Sequence, residues 1–206
     1  MNIPFFRSLT PEETRAFLAR DEVKRLHFER DTFVFEQGDT PRYVYILMEG
    51  EVQVEATAED GRRTILNRFT ETGTVFAEVY SYLTHKTYDY SCRATEDATV
   101  LAIDKELLKP GHTDDPVAQK LLFEMLTILS EKAFALNRKL LIISEMTLRQ
   151  KILKYLEQRT PLEHVEFNRE EMADFLGTTR PSLSRELRKM EDEGLIRVDG
   201  RSIHLI

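Results

Sequence analysis

The spacing of apolar residues changes along the chain. Between residues 22 and 104, short apolar runs are separated by turn residues, and this pattern predicts the strands of a sandwich or barrel. The pairs Gly38-Asp39, Glu49-Gly50 and Asp60-Gly61 separate these runs. Asp60-Gly61 also predicts a tight hairpin, because the turn of an Asp-Gly hairpin needs a positive φ. The predicted strands include residues 32–35, 43–47, 52–54 and 98–103.

Two helical patterns flank these strands. A short helix is predicted first, because Thr10 can cap it, Pro11 suits its first position and Glu13 completes a capping box. A long helix without an internal glycine is predicted from residue 115 to about residue 146. Its apolar residues are spaced alternately by four and three, which is typical of a dimeric coiled-coil seam. The seam consists of Leu122, Leu126, Leu129, Ala133, Leu136, Leu140 and Ile143.

The same helix also allows packing within one chain. Leu121, Met125 and Ile128 form a second apolar face beside the seam. The long helix could therefore dimerise, lie on its own barrel, or do both.

Residues 168–187 predict a helix-turn-helix. Asn168 is a helix-capping residue, and Glu171 follows three residues later, where a capping box has its acid. Gly177 lies where the turn needs a residue without a Cβ, Thr179 caps the next helix, and Pro181 falls in that helix's first turn. Leu176, Leu183 and Leu187 are predicted to face inward, which leaves Arg180, Ser182, Ser184, Arg185 and Arg188 outside.

The outer residues of this second helix suit DNA. Arginine can form two hydrogen bonds to guanine, and serine or threonine near a helix N-terminus can contact phosphate. After the helices, residues 194–198 and 201–205 alternate like two strands around Asp199-Gly200. Helix, turn, helix and a two-stranded wing predict a DNA-binding domain rather than a plain helical hairpin.

The net charge of −7 does not contradict this prediction. Residues 147–206 contain 11 basic and 11 acidic residues, whereas the first 146 contain 18 and 25. The excess of acid therefore lies in the N-terminal part. A neutral domain binds DNA when its basic residues share one face.

Composition excludes several classes of protein. We expect a cytoplasmic protein without a membrane partner, because the chain has no run of 18 apolar residues and no export signal. Cys92 is the one cysteine, so neither an intrachain disulfide nor a four-thiolate iron–sulfur cluster is expected. We expect no metal site and no enzyme, since there is no phosphate loop, nucleophile elbow or metal-spaced His/Cys cluster.

The whole pattern resembles the CRP/FNR family of bacterial transcription regulators. Residues 35–39 (FEQGD) and 45–52 (YILMEGEV) resemble the glycine-spaced strands of its cyclic-nucleotide-binding fold, and a long helix and winged helix-turn-helix follow as in the family. The resemblance implies an α+β fold: an N-terminal β-barrel or jelly-roll sensor domain in residues 1–114, a dimerisation helix in 115–146 and a C-terminal winged helix-turn-helix in 147–206.

The resemblance also implies a homodimer on a near-palindromic operator of double-stranded DNA. Arg180 and Arg185 would read bases, with Ser182 and Ser184 beside them. The predicted DNA-binding set is completed by Asn168, Arg169, Thr179 and Arg188. Pro181 departs from the family, because many members carry a base-reading glutamate there, so their half-site sequence cannot be copied.

The sensor domain departs from the members that bind cAMP. Those members place Gly-Glu and a later Arg-Ser around the ribose and the cyclic phosphate. Here Ala77-Glu78 and Tyr88-Asp89 stand at these places. Glu78 could still bind a ribose hydroxyl, but Asp89 would repel a phosphate that needs a cation. We therefore expect an effector other than cAMP.

A small organic molecule is the expected effector. Tyrosines cluster where the family binds its ligand, and aromatic walls with few polar groups suit an apolar or aromatic acid. Arg138 on the long helix could pair its carboxylate. Alternatively, the tyrosines simply fill or cover the barrel. The predicted effector site consists of Glu78, Tyr80, Tyr82, Tyr88, Tyr90, Phe134 and Arg138.

Two other functions stay open. A haem-based sensor of gas or nitrosative stress would use His85 or His27 as an axial ligand, with Met48 or Cys92 opposite. A cyclic-nucleotide-binding module that acts without DNA is the alternative of another class, but it would not need an arginine-bearing helix and a wing. RNA polymerase is a further candidate partner of a regulator.

Overall fold

The computed structural model describes residues 3–57, 63–83, 86–109, 115–158, 167–200 and 202–206. The predicted turn at Asp60-Gly61 and the predicted haem ligand His85 lie outside these residues. The chain forms two compact units, residues 1–130 and 131–206. Helix α2 (Pro116–Ile143) contributes residues to both units.

The first unit begins with helix α1 (Pro11–Leu18), where the predicted capping box of Thr10 and Glu13 is present. Short 3-10 helices lie at Pro4–Phe6, Glu78–Ser81 and Lys105–Leu108. The strands in the described part of this unit are β1 (Val23–Phe28), β2 (Phe33–Phe35), β3 (Tyr43–Glu49), β4 (Val52–Thr57), β5 (Arg63–Phe69), β6 (Val75–Phe76), β7 (Ser91–Ala94) and β8 (Ala98–Asp104).

These strands form two antiparallel sheets of four. The first sheet has the order β1-β8-β3-β6 and the second has the order β2-β7-β4-β5. One core cluster draws residues from both sheets, among them Leu47 and Val100 from the first and Val54 and Cys92 from the second. The α+β prediction is confirmed, and its sensor domain has the two-sheet jelly-roll form rather than a closed barrel.

The central strands of the first sheet, β3 and β8, are buried on both faces. Alternate residues of β3 and β8, such as Ile46 and Ile103, enter a second core cluster with the N-terminal segment and the start of α2. From that helix, Leu121 and Met125 are fully buried and Ile128 is partly buried. The predicted second apolar face of the long helix thus packs on its own chain. Burial on both faces also explains why β3 and β8 are apolar at consecutive positions.

Gly50, between β3 and β4, is required by both conformation and space. Its φ is +83°, in the region that side chains rarely adopt. A Cβ at this position would lie 2.2 Å from the backbone oxygen of Asp97. The predicted break between strands at Glu49-Gly50 is present, and the close approach of another loop leaves no room for a side chain there.

The second unit contains the end of α2, helices α3 (Leu148–Glu157), α4 (Arg169–Phe175) and α5 (Arg180–Asp192), and strands β9 (Ile196–Asp199) and β10 (Ser202–Leu205). Its core holds fully or nearly fully buried Ile142, Ile152, Leu176, Leu183 and Met190. Helix α2 ends at Ile143, three residues before the predicted end. Thr147 then caps α3 in a capping box with Gln150. No helix in the described ranges is long and apolar enough to span a membrane.

Candidate nucleic-acid interface and sensor site

Helices α4 and α5 form the predicted helix-turn-helix. Asn168 caps α4 by accepting a hydrogen bond from the backbone N–H of Glu170 at 3.0 Å. Its side-chain amide donates to Glu171 at 3.0 Å, so the expected capping partner binds the cap's side chain and not its backbone N–H. Between the helices, Gly177 has a φ of +65° and open space around its Cβ position. Its backbone conformation, not crowding, therefore favours glycine.

Helix α5 has one buried and one exposed side. Leu183 and Leu187 are buried in the core of this unit, as predicted. Arg180, Arg185 and Arg188 are exposed on the helix. An exposed arginine face on the second helix of a helix-turn-helix is the arrangement that enters a DNA major groove.

The hydroxyl groups at the start of α5 form a small network. Thr179 accepts from the backbone N–H of Ser182 at 3.3 Å and donates to the Ser182 hydroxyl at 2.9 Å. Arg185 lies over the same turn, at 3.4 Å from the Ser182 hydroxyl and 3.4 Å from the carbonyl of Pro181. Ser184 is partly exposed. The network orders the first turn of α5, where four backbone N–H groups lack partners within the helix.

The wing completes one side of this surface. Strands β9 and β10 pair antiparallel, with Asp199 opposite Ser202 and Gly200 at a φ of +58°. A cleft of about 530 Å³ separates the wing from the starts of α4 and α5. Its lining brings together Asn168, Arg169 and Arg180, as well as the acids Glu170 and Glu171. The structure thus gathers the predicted DNA-binding residues on the two helices beside the wing.

In the first unit, three of the predicted effector residues come together in an aromatic cluster. Tyr80 contacts Tyr88 and Tyr90 with ring centroids 5.0 and 5.6 Å apart. Tyr88 also stacks on Phe35 at 3.9 Å, and Phe35 stacks on Tyr45 at 5.7 Å. Tyr80 and Tyr88 are almost completely buried and Tyr90 is half-buried. The cluster is part of the core that draws residues from both sheets.

Burial changes the acidity of these phenols. It raises the pKa of Tyr45 to about 12, with smaller contributions from neighbouring groups. The pKa values of Tyr80, Tyr88 and Tyr90 are also raised, chiefly by burial. The tyrosines of the cluster therefore keep their phenol protons at pH values where an exposed tyrosine ionises.

Two acidic residues lie at this cluster. The Tyr80 hydroxyl donates to the Asp89 carboxylate at 3.1 Å and accepts from the Asp89 backbone N–H at 3.2 Å. Glu78 is buried in the short helix Glu78–Ser81. The residue before it, Ala77, has a φ of +59°, so the backbone keeps a conformation that suits glycine.

The remaining predicted effector residues, Tyr82, Phe134 and Arg138, have contacts of their own. Tyr82 donates its hydroxyl to the carbonyl of Leu108 at 3.2 Å. Phe134 and Arg138 belong to the second unit, where the Arg138 guanidinium lies 5.8 Å from the Phe134 ring. Arg138 also donates to the side chain of Gln158 at 2.9 Å and to its carbonyl.

Arg93 does not replace the cation that a cyclic phosphate needs. Its neighbours on β7, Cys92 and Ala94, enter the core between the sheets, so Arg93 points to the other face. There it pairs with Asp31 at 2.5 Å and with Glu55 at 3.7 Å.

The candidate haem ligands that the structure describes are held by other contacts. His27 on β1 lies 3.5 Å from the Thr99 hydroxyl. Met48 and Cys92 are buried in two different core clusters, and burial raises the pKa of the Cys92 thiol. The described residues contain no group of three His, Cys, Asp or Glu side chains that could hold a metal ion.

Arg149 on α3 is not among the residues predicted from the sequence. Its guanidinium contacts two carboxylates of the α5 region, Glu186 at 2.8 Å and Glu193 at 2.6 Å. Two acids seven residues apart on a DNA-binding helix could have indicated such a partner, because that spacing places both on one side of the helix.

Comparisons with known proteins agree with this architecture. Residues 25–110 match the cyclic nucleotide-binding domain, and residues 143–206 match the Crp-like helix-turn-helix domain. The CRP-like protein Clp of Xanthomonas oryzae is 24% identical over 200 residues, which cover 92% of this chain and 86% of the relative. The Clp of Xanthomonas campestris is 23% identical over 216 residues, which cover 97% and 93%.

Solved structures show the same fold. CLP from Xanthomonas campestris, described as a c-di-GMP-responsive global regulator, superposes with a TM-score of 0.60 at 22% identity over 95% of this chain and 99% of that one. The catabolite activator protein of Thermus thermophilus superposes with a TM-score of 0.50 at 24% identity over 98% and 93%.

The fold and the two domain matches define a DNA-binding transcription regulator with a sensor domain of the cyclic-nucleotide-binding type. The chain belongs to the CRP/FNR family. The resemblance inferred from the sequence is thereby confirmed. The family is one of transcription regulators, not of enzymes.

Proposed function

We propose that this protein is a homodimeric regulator that binds a near-palindromic DNA site and responds to a small organic effector other than cAMP. The observation that carries the effector part is the hydrogen bond between Asp89 and Tyr80 at 3.1 Å. It places a carboxylate, not an arginine, beside the aromatic cluster, and a buried phosphate anion needs a cationic partner.

The charges at the aromatic cluster also bear on the class of effector. Glu78 and Asp89 are its acids, and the Arg138 guanidinium already donates to Gln158. We therefore favour a neutral or cationic aromatic ligand over the aromatic acid that the sequence suggested. Half-buried Tyr90 and exposed Asp89 are the members of this site that solvent reaches.

A thermal-shift screen with the full chain tests this proposal. The probes are aromatic amines and amides, aromatic carboxylates, cAMP and c-di-GMP. A neutral or cationic aromatic compound should raise the melting temperature, because a ligand that binds only the folded state stabilises it. Tyr90→Ala should abolish the shift, and Tyr82→Ala, outside the cluster, should keep it. A shift with cAMP or c-di-GMP alone would contradict the proposal.

Dimerisation is supported by the exposed seam of α2. In the single chain, Leu126 is 59% exposed, Leu136 is 58% and Leu140 is 49%. Large apolar side chains in a continuous stripe indicate a surface that another protein covers. Leu129 differs, because it also packs against the core of the first unit.

Substitution of two exposed seam residues tests the dimer. The double variant Leu136→Lys/Leu140→Lys should be a monomer by light scattering, since two buried lysines per chain would have to lose water. Phe123→Lys, at a 71% exposed position outside the seam, is the matched control and should stay dimeric. A dimeric double variant would refute this seam.

The regulatory mechanism proposed here is a shift between two states of the dimer. The effector moves the equilibrium only if it binds the two states with different affinity. Residues 144–147, which separate α2 from α3, are the segment where the DNA-binding helices could be re-aimed. The expected spacing between half-sites is then about 34 Å, one turn of DNA.

A further inference from the structure

Helix α5 carries two glutamates on one side, Glu186 within the helix and Glu193 at its C-cap. They are seven residues apart, close to two helical turns, so they share one face and are separated by about 10 Å along the axis. One side chain from another helix contacts both of them. It is Arg149, the second residue of α3.

The contact uses all three nitrogens of the guanidinium. The Nε of Arg149 donates to Glu186 at 2.8 Å, and its two terminal nitrogens donate to the two oxygens of Glu193 at 2.6 and 3.0 Å. A planar guanidinium forms such a two-pronged pair, and a lysine ammonium does not. The hydrogen bonds to Glu193 and then to Glu186 raise the pKa of Arg149.

A side chain fixed at two points on one helix restricts the rotation of that helix about its own axis. If α5 turned while α3 stayed in place, both carboxylates would leave the plane of the guanidinium. The direction of Arg180 and Arg185 toward DNA depends on this same rotation, because both are exposed on α5.

The contact also has an electrostatic consequence. Carboxylates repel DNA phosphates, and the carboxylate of Glu193 lies at the negative end of the α5 dipole. Arg149 supplies a positive charge to both acids at hydrogen-bond distance. Glu186 and Glu193 can therefore hold α5 through Arg149, while the positive charge of Arg149 reduces their repulsion of DNA phosphates.

We propose that Arg149 is a positioning residue for DNA recognition: by bridging Glu186 and Glu193 it sets the rotation of α5 and so determines base preference. This proposal needs DNA binding through α5 but neither the proposed effector nor the proposed dimer seam. Because Arg149 lies two residues after Thr147, the bridge also ties α5 to the start of α3, where the chain leaves the segment that follows α2.

The test uses the full-length double variant Arg149→Gln/Glu186→Gln, which removes the bridge without changing the net charge. The wild-type chain first selects its site from a random pool of duplex DNA. The variant should then lose about tenfold in the ratio of affinities for the selected site and for unrelated DNA, which is the discrimination of one misplaced base contact. Affinity for unrelated DNA should stay within about twofold, because nonspecific binding depends on the charge of the protein and the charge is unchanged.

The matched control is Lys154→Gln/Glu157→Gln, which removes another ion pair of α3 (3.7 Å) at constant charge. It should leave the affinity ratio unchanged. Arg149→Lys should lose part of the discrimination, because it keeps the charge without the two-pronged geometry. Hydrogen exchange over residues 180–193 should be faster in the double variant than in the control.

Base preference and hydrogen exchange equal to those of the control would overturn the proposal. If the double variant melts early, Arg149→Lys and Glu193→Gln decide instead. Glu193 is 48% exposed, so the latter change cannot disturb the core. Full discrimination in both single variants would likewise overturn the proposal.

Discussion

The sensor domain and the helix-turn-helix differ in the exposure of their polar side chains. In the sensor domain, the hydroxyl of Tyr80 is buried and bonded to Asp89. On α5, the guanidinium groups of Arg180 and Arg188 extend from an exposed surface. Exposed side chains can contact DNA phosphates and base edges without first losing contacts within the protein. In a buried sensor site, the polar groups already bond to one another, and a ligand must replace these bonds. The partners seen in the structure therefore give less information about the effector.

The largest expected effect tests the exposed region. Arg180→Ala/Arg185→Ala should weaken binding to the selected DNA site by about 100-fold or more, because each two-pronged arginine–guanine pair contributes about 1–3 kcal/mol. Fluorescence anisotropy with labelled duplex measures the change. Arg15→Ala/Arg25→Ala, at exposed positions of the sensor domain, removes the same charge and should change affinity little. Equal losses in both variants would show that only net charge matters.

The helix-turn-helix was predictable because its determinants are local. The caps Asn168 and Thr179, the turn glycine Gly177 and the buried Leu183 each follow from short-range rules, and all are present. The aromatic cluster was predictable only in part. Which tyrosine contacts which neighbour depends on pairing between distant strands. Tyr82 and Arg138 bond instead to Leu108 and Gln158, 26 and 20 positions away, and no local pattern encodes these bonds.

The Arg149 bridge was unpredictable for a related reason. It joins residues 37 and 44 positions apart, so no periodic pattern within one helix encodes it. A sequence shows that Glu186 and Glu193 share a side of α5, but not which helix faces them.

A second prediction tests how closely the sensor domain is packed. Gly50→Ala should lower the free energy of unfolding by about 3 kcal/mol, since a Cβ 2.2 Å from the Asp97 oxygen adds a clash to an unfavourable φ. Urea denaturation measures the change. Gly38→Ala is the control, because Gly38 has a similar φ of +93° but open space, and it should cost about 1 kcal/mol. Equal losses of unfolding free energy in the two variants would show that close packing against Asp97 does not contribute.

A third prediction uses the pH dependence of the aromatic cluster. Folding raises the pKa of Tyr45 to about 12, and those of Tyr80 and Tyr90 also rise. The folded state thus keeps phenol protons that the unfolded chain loses near pH 10. The resulting stability is complete below about pH 10 and is lost as the pH rises toward 12.

Phenolate absorbance during an alkaline titration measures this effect. The tyrosines of the cluster should ionise together with unfolding, recorded by circular dichroism. Tyr45→Phe removes one such group and should weaken the pH dependence. Complete ionisation of all tyrosines in the folded protein would contradict the buried cluster.

The smallest expected effect concerns Ala77. Its φ of +59° is unfavourable for alanine by about 1–2 kcal/mol, and glycine recovers this at an entropic cost of about 0.5–1 kcal/mol. Ala77→Gly should therefore stabilise the protein by roughly 0.5 kcal/mol. Ala98→Gly, in a regular strand, is the control and should destabilise it. Destabilisation by both changes would show that Ala77 is unstrained.

We propose that this protein keeps the fold of a cyclic-nucleotide sensor without the phosphate-binding chemistry. Isothermal titration calorimetry of the full chain with cAMP tests this most directly. With Asp89 at the aromatic cluster and Arg93 on the opposite face of its strand, we predict no saturable binding up to about 1 mM cAMP. Saturable binding of cAMP with a micromolar Kd would contradict the claim.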